Sequence, residues 1–221
     1  MNSERRRSDR GVWVHLHGHR SSAATLERQL GSHVPDGWRR TLPDAPVRAD
    51  AGAFSWFGSG PNGPVPAELE HSLDVLDTLV GAAHTTGAWL AVGGFSQGAS
   101  TALAWAMRSG SRRSGAGWPR IDALILQAPF LTEPDGYPIE GLRVQRVLVQ
   151  HGRSDDVVPY FMGSDLAALL AGVAGVGHVD LLAYDGGHDP SAMAADAVEW
   201  LGASFGTPAE GPDRDRGSRG R

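Results

Sequence analysis

The chain has 221 residues, of which 41% are hydrophobic and 20% charged, and this balance is typical of a globular domain. Its net charge of −5 argues against nucleic acid as a partner, and its apolar runs are too short for stable membrane insertion. Cysteine and lysine are both absent, which excludes thiolate nucleophiles, cysteine-ligated metals and amine catalysis. The basic N-terminus is not followed by the apolar core of a secretory signal, so we expect a cytoplasmic protein.

Composition divides the chain into three parts. Residues 1–10 form a charged tail, residues 11–205 carry the apolar periodicity of a folded domain, and residues 206–221 form a tail that we predict to be disordered. Short apolar runs within the domain predict six strands, the second of them the weakest: Val12–Leu16, Trp38–Leu42, Trp89–Phe95, Ile121–Gln127, Val144–Gln150 and His178–Tyr184.

Helical patterns lie between these strands. Leu69, Leu73, Leu76 and Val80 recur on one helix face, and a last helix is expected after Asp189, a possible cap, with proline in its first turn. Strand and helix in alternation predict an α/β domain with a mostly parallel, doubly wound sheet of about six strands. Ligands of such sheets bind at the carboxyl ends of the strands.

The clearest chemical motif is Gly94-Phe95-Ser96-Gln97-Gly98, which lies between a predicted buried strand and the helical stretch Ala99–Met107. A serine on a sharp strand-to-helix turn is the nucleophile of many hydrolases, and the glycines two residues to either side leave room for the turn. The context therefore predicts that Ser96 is a catalytic nucleophile.

A serine nucleophile needs a histidine base and an acid that orients it, each on a loop after a later strand. His188 follows the last predicted strand and two glycines, so it is the predicted base. Asp155 and Asp156 follow the preceding strand, and Asp185 is a third candidate for the acid. The residues alone leave this choice open.

Two backbone N–H groups should bind the developing oxyanion. The amide of Gln97 follows the nucleophile at the start of a helix, and the loop after the first strand supplies the second, for which His19 is our choice. The alternating His15, His17 and His19 offer a rival hypothesis, a zinc hydrolase, but the nearby sequence supplies no further ligand to complete the site. We therefore expect neither a metal nor a cofactor.

The segment from Ala128 to Arg143 contains two prolines and two glycines, so we predict an irregular loop and not a helical lid. The site should then be open. Trp56, Phe57 and Phe130 would offer apolar side chains to bind an acyl group.

Taken together, these motifs resemble the phospholipase/carboxylesterase family, which includes the acyl-protein thioesterases. The resemblance extends from about Val12 to Trp200, and the matching pieces are Leu16-His17-Gly18, Pro43-Asp44-Ala45-Pro46, Ser55-Trp56-Phe57, Gly94-Phe95-Ser96-Gln97-Gly98, His151-Gly152 through Asp155 to Val158-Pro159, and Gly187-His188. It implies an α/β-hydrolase fold of minimal, lidless form. It also implies that Asp155, four residues after the histidine of a His-Gly pair, is the acid, with Ser96, His188 and the His19 and Gln97 amides in the roles given above.

The predicted function is therefore serine hydrolysis of a small ester or thioester through an acyl-enzyme. A catalytically inactive binding module of the same fold is the alternative from another class. Sequence does not separate ester, thioester and lysophospholipid substrates, and it does not give the oligomeric state.

Overall fold

The computed structural model describes residues 10–60, 63–84, 87–112 and 120–206, so nearly all of the two predicted tails lies outside the described residues. The strands are β1 (Gly11–Leu16), β2 (Trp38–Thr41), β3 (Val47–Asp50), β4 (Ala53–Ser55), β5 (Ser59–Gly60), β6 (Gly63–Pro64), β7 (Trp89–Phe95), β8 (Ile121–Gln127), β9 (Val144–Gly152) and β10 (Val176–Tyr184). The helices are α1 (Ala23–Leu30), α2 (Pro66–Ala83), α3 (Gln97–Arg112), α4 (Tyr160–Ala171) and α5 (Ala194–Phe205).

The six predicted strands form one sheet in the order β10-β9-β8-β7-β1-β2, and every pairing within it is parallel. This confirms the predicted sheet, and the bounds of β7 and β8 agree with the sequence patterns residue for residue. Strands β3 with β4 and β5 with β6 form two small antiparallel ribbons in the loop region between β2 and α2. Because the strands are parallel, the loops that follow them all leave from the same edge of the sheet.

Helices cover both faces of the sheet, as a doubly wound fold requires. Alternate residues of β1 show the division: Val12 and Val14 join the core under α2, α3 and α4, whereas Trp13 joins the smaller core under α5. Helix α3 is also tied to α2 by ion pairs between one buried arginine and carboxylates at the surface of α2. The fully buried guanidinium of Arg108 lies 2.8 Å from Asp74 and 2.7 Å from Asp77.

The last helix begins differently from the prediction. Asp189 does accept hydrogen bonds from the amide and the hydroxyl of Ser191, at 2.9 and 2.7 Å. However, Pro190 leads into a short 3-10 turn, Ser191–Met193, and α5 starts only at Ala194. The segment between the predicted base and α5 is therefore a compact turn and not a first helical turn.

The segment 128–143 is irregular apart from a three-residue 3-10 turn at Ile139–Gly141, in agreement with the predicted absence of a helical lid. Among the described residues, none of the helices has the length and apolar character needed to cross a membrane.

Candidate active site

Ser96 lies on a sharp turn between β7 and α3. Its φ of 54° is in the left-handed region, which is unfavourable for a residue with a side chain, and its amide donates to the carbonyl of Gln127 over 2.8 Å. The flanking glycines have no room for a side chain: a Cβ on Gly94 would lie 2.5 Å from the carbonyl carbon of Gly98, and a Cβ on Gly98 would lie 2.5 Å from His17 O. Close packing of β1 against the start of α3 thus holds Ser96 in its strained conformation.

His188 and Asp155 form a hydrogen-bonded pair on the loops after β10 and β9. The distance from His188 Nδ1 to Asp155 Oδ2 is 2.7 Å. A carboxylate can only accept, so Nδ1 carries the proton and Nε2 is left as a hydrogen-bond acceptor. The imidazole also packs on Phe95, with ring centroids 4.5 Å apart.

The backbone holds Asp155 in place. Its Oδ1 accepts from the amides of Val157 and Val158, at 2.9 and 2.8 Å. Burial would raise the pKa of Asp155, but the hydrogen bond from His188 and those from the two amides lower it below its ordinary value. The carboxylate therefore stays ionised beside the imidazole.

The other two candidates for the acid point into solvent. Asp156 is exposed, and the side chain of Asp185 is 98% exposed and lies 3.7 Å from the guanidinium of Arg153. Geometry therefore selects Asp155 as the partner of His188.

Ser96 and His188 line the same open cleft, which has a volume of about 320 Å³. The remaining lining residues come from the turn after β1, from α1, and from the ends of β7 and of the Asp155 loop: Gly18, His19, Ser21, Gln29, Phe95 and Val157. Sequence reasoning identified Ser96, His188 and His19 in this set and missed the other five. Of these, Val157 could have been noticed, since it lies two residues after the acid.

The two candidate oxyanion donors lie on either side of Ser96. Gln97 is the first residue of α3, so its N–H has no partner within the helix. The turn carrying His19 packs against the serine, because a Cβ on Gly18 would lie 3.6 Å from Ser96 Cβ. Ser55 Oγ holds this turn by accepting from the amide of Arg20 at 3.1 Å and contacting His19 Nδ1 at 2.9 Å.

Comparison with known proteins agrees with this geometry. A family model described as serine hydrolase (FSH1) matches residues 13–190, a range that includes Ser96, Asp155 and His188. The chain belongs to this serine hydrolase family. The match is consistent with the resemblance to the phospholipase/carboxylesterase family and with a hydrolytic function. No curated protein matches the chain significantly.

Solved structures share the fold of this serine hydrolase at low identity. Acyl-protein thioesterase 2 of Zea mays is 23% identical with a TM-score of 0.67, and the alignment covers 90% of this chain and 95% of that one. Esterase PE8 is 22% identical with a TM-score of 0.63 and coverages of 88% and 92%. A carboxylesterase from Mesorhizobium loti is 20% identical, with a TM-score of 0.62 and coverages of 87% and 88%.

Of the three side chains that we predicted to contact substrate, two are buried in the core of the hydrolase, and the third, that of Phe130, stays partly accessible. Trp56 is fully buried, with its indole N–H donating to His17 O over 2.8 Å, and Phe57 is also buried in the core. Their backbone groups bind the side-chain amide of Gln97 at 2.9 and 2.7 Å. Phe130 is half-buried against the same core. The prediction failed for Trp56 and Phe57 because both side chains pack into the core instead of lining the cleft, and their backbone groups bind Gln97 next to Ser96.

The three histidines of the zinc hypothesis bind three different partners. His15 contacts Gln127, His17 lies between Gly18 O and the amide of Ala45, and His19 contacts Ser55. In the described part of the chain, no group of three or more histidine, aspartate or glutamate side chains is arranged to hold a metal ion. The geometry gives no support to the zinc alternative.

Proposed function

We propose that this serine hydrolase cleaves carboxylic esters or thioesters through an acyl-enzyme on Ser96. The observation that carries the proposal is the 2.7 Å bond between His188 and the buried Asp155, beside the strained Ser96 in one open cleft. An inactive binding module would have no need to keep this pair intact.

The proposed reaction starts with the proton of the Ser96 hydroxyl. His188 Nε2 accepts that proton as the serine oxygen attacks the carbonyl carbon, and Asp155 stabilises the imidazolium that forms. His188 then returns the proton to the departing alcohol or thiol. In the second half, His188 takes a proton from water as the water oxygen attacks the acyl carbon. His188 then donates this proton to Ser96 Oγ as the bond between that oxygen and the acyl carbon breaks, which releases the carboxylic acid and restores the serine. The scheme uses no cofactor.

The negative oxygen of each tetrahedral intermediate would accept hydrogen bonds from the amides of Gln97 and His19. The dipole of α3 adds to this, because the helix begins at the residue after the nucleophile. The side-chain amide of Gln97 is already bound by Trp56 and Phe57, so only its backbone N–H is available to the substrate.

Exposed apolar side chains on the wall of the cleft and in the helix turn that follows it in the chain support an acyl substrate. Val157 lines the cleft and is 65% exposed, and Phe161 and Met162 follow on the first turn of α4, also exposed. An acyl chain leaving Ser96 towards this side would cover apolar surface, at a gain of about 0.8 kcal/mol per buried CH₂. We therefore propose that Val157, and not Trp56 or Phe57, forms the acyl-binding wall. A cytoplasmic location and the absence of a nucleic-acid partner stay predictions from the sequence.

The test of the proposal is active-site labelling combined with turnover. A fluorophosphonate probe should label the wild type and the control Ser154→Ala, whose serine is exposed on the Asp155 loop. Ser96→Ala should lose labelling and lose on the order of 10³-fold or more in kcat. Normal turnover of p-nitrophenyl esters by Ser96→Ala would refute the proposal.

A chain-length series tests the open cleft. Without a lid to displace, the rate should rise smoothly with substrate concentration through the critical micelle concentration. Val157→Ser should lower kcat/KM most for the longer acyl chains, because it removes apolar wall. Sharp activation when micelles form would show that a segment of the chain acts as a lid.

A further inference from the structure

A chain of buried polar side chains lies beneath the cleft, on the face of the sheet covered by α5. His15 Nε2 lies 3.1 Å from Gln127 Oε1, Gln127 Nε2 lies 2.9 Å from Gln150 Oε1, and Gln150 Nε2 lies 3.1 Å from the carbonyl of Met193. Gln127 Nε2 also lies 3.5 Å from that carbonyl. These three side chains are at most 2% exposed and play no part in the proposed reaction.

A glycine allows the first link of this chain to form. His15 is on β1 and Gln127 is on β8, and β7 runs between these two strands. At the crossing point β7 carries Gly93, where a Cβ would lie 3.1 Å from His15 Nδ1 and 2.9 Å from Ile125 Cβ. The bare backbone at Gly93 therefore lets the histidine reach across an entire strand.

The N–H groups of this chain all point in one direction, from His15 towards the carbonyl of Met193. The carbonyl of Met193 can only accept, so Gln150 and Gln127 present their amide N–H groups towards it and their oxygens towards the preceding link. Gln127 Oε1 then requires His15 to carry its proton on Nε2. Burial disfavours the charged imidazole and lowers the pKa of His15 to about 3. The hydrogen bond to Gln127 opposes this shift, and the positive charge of Arg40 adds a little to it. The histidine is therefore a neutral donor, and the chain keeps one arrangement at ordinary pH.

Gln127 is the link that touches both halves of the active site. Its backbone carbonyl accepts the amide of Ser96, and its side chain is directed at Met193, five residues after His188. The side chain of Met193 packs with Phe95 and Tyr184, and Phe95 is the residue on which the His188 ring rests.

The loop from residue 184 to 193 is held at its other end as well. The hydroxyl of Tyr184 donates to Gly187 O over 2.5 Å, on the N-terminal side of His188. On the C-terminal side, Gln150 and Gln127 bind the carbonyl of Met193. These two anchors act together with the bond from His188 to Asp155 and with the amide of Ser154, which donates to Gly186 O over 2.9 Å, to set the position of His188 relative to Ser96.

We propose that Gln127 is a positioning residue of the hydrolase: through His15, Gln150 and Met193 O it fixes the loop carrying His188 against the strand end that carries Ser96. This inference rests on the proposed function, because it assigns Gln127 to the reaction of Ser96 and His188. Gln127 itself touches neither the substrate nor the reacting atoms.

The experiment compares Gln127→Met with Ile125→Val. Methionine keeps the length of the side chain and removes the hydrogen bonds, whereas Ile125 lies two residues earlier on the same face of β8 and outside the polar chain. Gln150→Met removes only the last links and serves as a second variant if Gln127→Met does not fold. Each variant is measured for kcat and KM well below its melting temperature and for amide hydrogen exchange by mass spectrometry.

We expect Gln127→Met to lower kcat by about tenfold or more, since a displaced base is costly, while KM stays within about twofold of wild type. Amide exchange should accelerate in residues 185–193 and not in β7 or β8. In a His188→Ala background the same substitution should have no further effect on the residual rate, because the positioned base is already absent. Ile125→Val should change none of these quantities.

An unchanged kcat, or faster exchange spread evenly over the whole sheet, would overturn the proposal and leave Gln127 a structural residue. A full additional loss in the His188→Ala background would also overturn it. Failure of the proposed function looks different: the wild type itself would then show no ester turnover. In that case the exchange pattern of residues 185–193 alone decides whether Gln127 holds this loop.

Discussion

The substitution Asp155→Asn isolates the electrostatic part of the proposed triad. In the structure, Oδ1 accepts two backbone N–H groups, from Val157 and Val158, and Oδ2 accepts His188 Nδ1. An asparagine must turn its oxygen towards the two amides, because the opposite orientation would leave the buried N–H of Val158 and the partly buried N–H of Val157 facing another donor. The penalty is about 1–3 kcal/mol for the buried donor alone, so the flipped state lies at least that much higher.

With the oxygen so directed, the NH₂ group of the substituted asparagine faces His188 and can only donate. His188 Nδ1 must then accept, which places the proton on Nε2 and removes the base from Ser96. We expect kcat/KM for a p-nitrophenyl ester to fall on the order of 10⁴-fold, equivalent to about 5.5 kcal/mol. The variant should remain folded at neutral pH, since the two backbone hydrogen bonds remain.

Asp156→Asn is the matched control, because Asp156 is the adjacent but exposed carboxylate. It should keep kcat/KM within about twofold of wild type, as expected for a surface position. If Asp155→Asn kept more than about a tenth of the wild-type rate, the tautomer argument would be refuted. If only Asp156→Asn were inactive, the acid would be the neighbouring residue.

Three further outcomes follow from the contacts described above. The pKa of Asp155 is lower in the folded state than in the unfolded state, where it is about 3.9. The bond between Asp155 and His188 therefore stabilises the fold above the unfolded pKa, and this contribution is lost as the pH falls through the folded pKa. Urea unfolding between about pH 5 and pH 3 should therefore show a larger loss for wild type than for Asp155→Asn. Gly94→Ala, whose Cβ would lie 2.5 Å from Gly98, should lower both melting temperature and activity, whereas Gly172→Ala, with its nearest neighbour at 3.4 Å, should change neither. Arg108→Met should lower the free energy of unfolding by no more than about 1 kcal/mol in urea titrations, since the carboxylates of α2 that it pairs with are partly or largely exposed and stay solvated without it.

The sheet could be predicted because strands that are buried on both faces have a recognisable sequence pattern. Strands such as β7 and β8 are apolar at nearly every position, and only a strand covered by helices on both sides needs that pattern. The same reasoning located Ser96, which follows directly from the end of β7. His188 lies four residues after β10, an edge strand whose residues are half-buried or exposed, so its position was predicted from the order of the motifs and not from burial. The choice of Asp155 over Asp156 was different. Periodicity does not separate adjacent loop residues, and only the family resemblance favoured the residue that the structure pairs with His188.

The role of Trp56 could not be predicted, because it depends on which elements close over the loop. An aromatic residue in a loop between two turns suggests a surface contact when the neighbours are unknown. In the folded chain α2 packs over this loop, the hydroxyl of Ser72 donates to Trp56 O, and the indole N–H donates to His17 O. A tryptophan with both polar groups satisfied is a stable core residue, and a local sequence pattern contains neither partner.

The polar chain below the site shows where pattern analysis gives a misleading result. Gln127 and Gln150 close two apolar runs, and a polar residue in that place normally indicates that a strand is leaving the core. In a parallel sheet, however, neighbouring strands end at the same level, and the register pairs Gln127 with Gln150 directly. The 3-10 turn before α5 then covers both, so two apparent surface positions become one buried contact. Ser96 and Ala128 follow β7 and β8 with the same left-handed backbone, and each amide donates to a glutamine carbonyl on the next strand. The strained turn that presents the nucleophile and the amides that anchor the base loop therefore belong to the same layer of the sheet. A sequence predicts this shared layer only when the ends of the predicted strands are aligned with one another.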